Sequence, residues 1–142
     1  MISGQLALVT AALFTGAAFY VSAVEHPARM ALEPAAMLTE WKPSYKRGFA
    51  MQATLALIGF LLGTWAFVET QDWLWLAGGL ALFAGWPYTL LVILPTNKRL
   101  LATPIAAANA ETVALIAKWA ALHAVRTALG VAATLLFLLA SI

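Results

Sequence analysis

Four long stretches of the chain carry almost only apolar side chains, and short polar segments separate them. Each stretch reaches or exceeds the roughly 20 residues that an α-helix needs to cross the hydrocarbon core of a bilayer. Strict alternation of apolar and polar residues, the pattern of a half-buried strand, is absent. The sequence therefore predicts an all-α integral membrane four-helix bundle that forms a single transmembrane domain over residues 1–142. The expected helices cover about residues 5–24, 48–68, 73–94 and 112–140.

The composition supports this interpretation. Of 142 residues, 63% are apolar and 10% are charged, and the mean hydropathy is +0.89. A soluble domain is about half apolar and about a quarter charged, and one this small has too much surface to hide such an excess. We therefore expect the lipid bilayer as its surroundings. A net charge of +2 is too small to indicate nucleic-acid binding, and the absence of cysteine excludes disulfides and thiolate metal sites.

The first apolar stretch has one competing interpretation. Val21-Ser22-Ala23 resembles the small-residue site at which a signal peptide is cleaved. No Lys or Arg precedes the stretch, however, and it is longer than the apolar part of a typical signal peptide. We therefore expect residues 5–24 to stay in the protein as its first membrane helix.

Basic residues lie on one side of the predicted bundle. Four spans place segments 25–47 and 95–111 on the same side, and both termini with the turn 69–72 on the other. The first side holds all the basic residues outside the fourth helix, namely Arg29, Lys42, Lys46, Arg47, Lys98 and Arg99. Basic loops stay in the cytoplasm. We therefore predict an inner- or plasma-membrane protein with cytoplasmic loops at 25–47 and 95–111, the first of them long, and with non-cytoplasmic termini.

The fourth apolar stretch is the one that contains basic residues and a histidine. Four of its residues fall within roughly 60° of one another on a helix that advances about 100° per residue, namely Trp119, His123, Arg126 and Gly130. An ionisable side chain inside a bilayer costs at least about 2.5–3.5 kcal/mol on insertion scales, so it usually faces inward and is functional. We expect this face to border a cavity, with Gly130 leaving room beside it. The structural alternative is an ion pair of Arg126 with Glu25 or Glu111.

Other residues support weaker hypotheses. If helices one and four pack together, His26 and His123 could form a two-histidine site for haem or a metal ion, although neither ligand number nor spacing identifies a metal. Lys118 lies nearer the cytoplasmic end and can extend to the headgroups. Gly59 and Gly63 form a small-residue face that favours close helix packing. That packing lies either within one chain or between the chains of a homo-oligomer.

Two motifs resemble those of a known family. The run Tyr88-Thr89-x-x-x-x-Leu94-Pro95-Thr96-Asn97-Lys98-Arg99-Leu100 and the motif Lys118-Trp119-x-x-Leu122-His123-x-x-Arg126-Thr127 are similar to the anthrone oxygenase-like family of small membrane proteins. The similarity extends over nearly the whole chain, including Trp41, Tyr45 and Arg47. It implies a membrane-embedded monooxygenase that inserts oxygen from O₂ into an activated aromatic carbon without an obvious cofactor.

The resemblance also implies roles for individual residues. His123 would be the base that removes an acidic C–H proton, because an imidazole with a pKa near neutrality suits that step. Arg126 and the indole N–H of Trp119 would stabilise the developing oxyanion. Asn97 would orient the substrate carbonyl or a peroxide. The further candidate contacts to the substrate are His26, Trp41 and Lys118.

The expected substrate is a lipophilic aromatic of the anthrone, phenol or quinol type, with O₂ as co-substrate and no cofactor. Two alternatives stay open. One is a bundle that binds haem or a metal ion through His26 and His123. The other is a non-catalytic accessory protein, in which Trp119, His123 and Arg126 pair among themselves with no cavity beside them.

Overall fold

The fold consists of four long helices and contains no strand. The computed structural model describes residues 1–142, and each helix is long and apolar enough to cross a membrane. This confirms the predicted all-α membrane bundle. The helices are α1 (Ile2–Met30), α2 (Pro34–Thr70), α3 (Trp73–Ala102) and α4 (Ala110–Ala140). A single 3₁₀ turn, Ile105–Ala107, lies in the connection before α4.

Each helix packs on the next one in sequence, and α4 closes the bundle by packing on α1. Helices α1 and α3 lie opposite each other and scarcely touch. The turn between α2 and α3 is tight: Gln71 has φ 59°, and the Asp72 side chain accepts a hydrogen bond of 2.9 Å from the Leu74 N–H. Gln71, in the left-handed region, ends α2, and Asp72 caps the N-terminus of α3. The bundle is therefore antiparallel.

The helices extend well beyond the apolar stretches, which corrects the predicted loops. Only Ala31–Glu33 separates α1 from α2, so most of the expected long loop 25–47 is helical. At 1.5 Å per residue the 37 residues of α2 measure about 55 Å, against about 30 Å of hydrocarbon. The sequence bounds were wrong because charged residues mark where a helix leaves the lipid, and a helix does not have to end there.

Two wide, π-helical turns interrupt α1 and α3, at Val21–Glu25 and Thr89–Ile93. Each is followed two residues later by a proline, Pro27 in α1 and Pro95 in α3. A proline ring clashes with the carbonyl four residues before it and removes one hydrogen bond. A wide turn at that point accommodates both effects. Both helices therefore continue through prolines that were expected to lie in loops.

Two apolar clusters fill the bundle at different levels. One includes Phe14, Leu82 and Phe137 and lies towards the chain termini. The other includes Leu38 and Ile116 and lies towards the 103–109 connection. Along α2, α3 and α4 the residues of the two clusters lie in separate segments, and a polar layer lies between them. This layer holds the candidate site.

Glycines bring the helices close together within one chain. A Cβ at Gly63 would lie 2.8 Å from the Phe137 ring, and a Cβ at Gly59 would lie 2.4 Å from Leu82. The two glycines predicted to support close packing therefore serve contacts between helices of one bundle. Gly130 also packs closely, since its Cβ would lie 2.8 Å from the Phe14 ring. The expectation that Gly130 leaves an open space was wrong, because α1 fills it.

Candidate active site

A small buried cavity lies between the two apolar clusters, and all four helices contribute to its wall. The centre of a water molecule can occupy about 30 Å³ of it, which gives room for about two waters since one needs about 10–15 Å³. Both wide turns border it, through Val21 and Glu25 and through Thr89 and Ile93. Wide turns are frequent at functional sites. The polar residues of the wall are Glu25, Ser44, Tyr45, Gln52, Thr89, Asn97, His123 and Arg126.

The predicted face of α4 borders this cavity. Trp119, His123 and Arg126 are all buried and all line the wall. The rings of Trp119 and His123 stack with centroids 5.2 Å apart and an interplanar angle of 28°. The stack limits the rotation of the imidazole, so its orientation towards the cavity is fixed by packing. The accessory-protein alternative predicted that these three residues have no cavity beside them, whereas all three border one.

Arg126 has no carboxylate partner. Glu25 pairs with Arg29, and Glu111 pairs with Arg99 at 2.6 Å. The structural alternative, an ion pair of Arg126 with Glu25 or Glu111, is therefore not observed. The guanidinium carbon lies 5.8 Å from the centroid of the Phe14 ring, and its Nε donates to no acceptor. A guanidinium is always charged, so the cavity contains a buried positive charge that no anion of the protein neutralises.

Other polar atoms of the wall also lack partners. They are Gln52 Oε1, Thr89 Oγ1, Asn97 Oδ1 and His123 Nδ1. An unpaired buried polar group costs about 1–3 kcal/mol, and native proteins contain few of them. Several around one space indicate groups that are arranged to bind a polar molecule.

Asn97 connects the cavity to an aromatic group behind it. Its Nδ2 donates a hydrogen bond of 3.0 Å to the Tyr45 hydroxyl. Tyr45 stacks on Trp41 at 4.8 Å, and Trp41 meets the Trp119 ring edge-on at 5.6 Å. Trp41 is fully buried outside the cavity wall. These contacts hold Asn97 and Trp119 in fixed positions in the cavity wall.

A second buried arginine supports the site from α1. Arg29 pairs with Glu25 and Glu40 and also donates to Ser44. Its guanidinium carbon lies 5.8 Å from the centroid of the Trp119 ring. Unlike Arg126, Arg29 has carboxylates on two sides, so it acts as a structural link between α1 and α2.

The remaining predicted site residues lie elsewhere. His26 is half-buried outside the cavity wall, and Lys118 is exposed on α4. No group of three or more His, Cys, Asp or Glu side chains is arranged to hold a metal ion, so the structure adds nothing in favour of the haem or metal alternative. The sequence analysis missed Gln52 and Thr89. A lone amide within an apolar span was the available signal for Gln52, and for Thr89 the signal was its place in the Tyr88-Thr89 run that resembles the family.

The fold and site together define a class of protein: a membrane four-helix bundle with a buried, polar cavity. Comparison with known proteins gives the family. The family model described as anthrone oxygenase matches residues 41–136, and the chain belongs to this family. A similar protein is the anthrone oxygenase of Claviceps purpurea (strain 20.1), with 29% identity over 92% of this chain and 83% of the relative. No solved structure matches the chain. Family membership supports an oxygenase-like role.

Proposed function

We propose that the protein is a membrane-embedded oxygenase for a lipophilic aromatic of the anthrone, phenol or quinol type. The observation that carries this proposal is the unneutralised guanidinium of Arg126 beside the unpaired imidazole of His123. A base and a fixed cation in one low-dielectric cavity are the groups that turn a weak carbon or oxygen acid into its anion. An electron-rich, delocalised anion of this kind reduces O₂ directly.

The cation determines which species the cavity favours. A neutral aromatic gains little from a guanidinium, whereas its enolate or phenolate forms a charge-assisted hydrogen bond with it. The Trp119 N–H is the second donor proposed for the developing oxyanion. Asn97, held by Tyr45, is proposed to orient the substrate carbonyl or the peroxide. Trp41 acts on Trp119 and Tyr45 by contact, which makes it a positioning residue.

The proposed reaction balances for a methylene group that is conjugated with a ketone through aromatic rings, as in anthrone. His123 takes one C–H proton, and the carbanion passes one electron to O₂ to give a substrate radical and superoxide. The two combine through a new C–O bond, and the imidazolium returns the proton to give a hydroperoxide. Loss of the second C–H proton then forms the C=O bond, breaks the O–O bond and releases water. Overall, one CH₂ and one O₂ become one C=O and one H₂O.

The test uses the purified protein in lipid nanodiscs with anthrone as substrate. O₂ uptake and ¹⁸O incorporation into anthraquinone measure turnover. We expect His123→Ala to lower kcat about 10²–10⁴-fold, the usual contribution of a positioned base. Arg126→Gln should lower it about 10²–10³-fold through loss of oxyanion stabilisation. Arg99→Gln makes the same change at an exposed arginine and should leave turnover unaltered. Wild-type rates in His123→Ala would refute the assignment of the base.

The orientation in the membrane is also a proposal. The basic residues outside α4 all lie at the ends of the helices near 31–33 and 103–109. We propose that this end faces the cytoplasm and that both termini lie on the other side. The candidate cavity would then lie in the cytoplasmic half of the bilayer.

A further inference from the structure

A groove between α1 and α2 runs alongside the cavity and shares its wall. The space in the groove is about 380 Å³. Five residues line both the groove and the cavity, namely Val21, Glu25, Ser44, Gly48 and Gln52. Tyr20 and Met51 border the groove on its outer side, where about half of each residue's surface is exposed. The groove therefore faces the surroundings of the bundle on one side and the candidate site on the other.

Size separates the roles of the two spaces. The inner cavity has room for about two waters, so it can receive O₂ or the reacting edge of a molecule but not a complete aromatic ring system. The groove falls in the range of about 300–1,000 Å³ that is typical of small-molecule sites. Two other spaces fit this role less well. The one between α2 and α3 measures only about 20 Å³. The one at the 103–109 end measures about 420 Å³ but shares no residue with the cavity.

Two residues of the shared wall mark it as a passage. A Cβ at Gly48 would meet nothing within 4 Å, so this glycine faces open space, whereas Gly59 and Gly63 are tightly packed. Gln52 is 2% exposed, lines both spaces, and its Oε1 has no hydrogen-bond donor. A buried acceptor without a donor indicates a ligand that carries an O–H or N–H group.

We propose that the groove between α1 and α2 is the binding cleft through which a hydroxylated, flat aromatic enters from the bilayer. The rings lie in the groove between Tyr20 and Met51, and a phenolic O–H donates to Gln52 Oε1. The reacting carbon passes Gly48 and reaches His123 and Arg126. This inference rests on the proposed oxygenase function, for which it names the entry route and the substrate class.

The first experiment blocks the passage. Gly48→Leu should lower kcat/KM for anthrone about tenfold or more, because its side chain fills the opening. Ala50→Leu places the same side chain at almost the same depth on an exposed face that lines neither space, and it should stay within about twofold of wild type. Gln52→Leu should raise KM for 2-hydroxyanthrone, whose O–H is too far from the ketone to donate to it, much more than KM for anthrone.

The second experiment measures binding without turnover. The chain has no cysteine, so a single one can report on one position. Met51→Cys, in the groove, should react with N-ethylmaleimide several times more slowly when anthrone is added under nitrogen. Ala50→Cys, one residue away on the exposed face, should react at an unchanged rate. This measurement still tests the groove if Gly48→Leu fails to fold.

The outcomes distinguish the two proposals. Protection of Met51→Cys alone, together with slow Gly48→Leu, supports the cleft. Active wild type with an unprotected Met51→Cys and a normal Gly48→Leu refutes the cleft and leaves the oxygenase proposal intact. Protection without turnover of anthrone by wild type supports the cleft as a binding site and refutes anthrone as the substrate of the proposed oxygenase.

Discussion

Arg126→Met should make the protein more stable while it removes activity. The side chain of Arg126 is a buried cation without a carboxylate, and burying a charge in the bilayer costs at least about 2.5–3.5 kcal/mol. Replacement by methionine removes that cost and loses the contact with the Phe14 ring, worth about 0.5–2 kcal/mol. The net gain is about 0.5–3 kcal/mol, which changes the ratio of folded to unfolded protein roughly 2–160-fold.

Arg29→Met is the matched control, because it removes the other buried arginine of the bundle. Arg29 is paired with Glu25 and Glu40, so the change leaves two carboxylates without their cation. Breaking a fully buried pair costs about 3–5 kcal/mol. The side chains of Glu25 and Glu40 keep 22% and 39% of their exposure, so we expect a smaller loss of about 2–3 kcal/mol.

The assay is equilibrium unfolding in mixed micelles titrated with sodium dodecyl sulfate, followed by far-ultraviolet circular dichroism. Turnover of anthrone is measured on the same preparations. We expect the two methionine variants to shift the midpoint in opposite directions. If Arg126→Met also destabilises the protein by about 2 kcal/mol, its guanidinium is a structural anchor. That result would refute the idea that the protein keeps this charge for chemistry at a cost in stability.

Two further predictions concern packing and orientation. Gly78→Ala should destabilise the protein by about 1–3 kcal/mol in the same unfolding assay, because its Cβ would lie 2.5 Å from the Phe137 ring. Ser141→Cys, in the otherwise cysteine-free chain, should react with a membrane-impermeant maleimide added to intact spheroplasts, because we propose that the C-terminus is not cytoplasmic.

Each of these has a matched control. Gly16 faces open space, since nothing lies within 4 Å of a Cβ placed there, so Gly16→Ala should be neutral or slightly stabilising. An equal loss in both glycine variants would mean that the contact with Phe137 does not matter.

Thr103→Cys, at the opposite end of the bundle, should react only after the membrane is made permeable. Labelling of Thr103→Cys in intact cells would reverse the proposed orientation.

The sequence was sufficient to predict the spans and one face of the site. Apolar runs identify membrane helices because lipid leaves no alternative to backbone hydrogen bonds within the helix. The 3.6-residue period then places Trp119, His123 and Arg126 on one face. This prediction requires no knowledge of how the helices pack, because all three residues belong to one helix. The same reasoning failed for Pro27 and Pro95, because a wide turn lets a helix continue through a proline, and the sequence does not show where such a turn forms.

The rest of the site depends on which helices face one another. Gln52 and Thr89 belong to α2 and α3, and only the packing of these helices brings them to the same cavity as α4. The sequence also did not show which arginine pairs with Glu25. Arg29, one helical turn further along α1, forms the ion pair with the carboxylate that was considered as an alternative partner of Arg126. Pairings between helices are tertiary contacts, and helical periodicity does not determine them.

The two wide turns have a consequence for how this protein can diversify. A wide turn adds one residue to a helix, so everything beyond it is rotated by about 100°. Helices α1 and α3 each carry such an insertion beside the cavity, on opposite sides of the bundle. The cavity therefore depends on the backbone of the two wide turns, whereas the side chains of Val21 and Thr89 form its lining. Substitutions at the lining positions can change substrate preference during evolution or redesign while the scaffold keeps its shape.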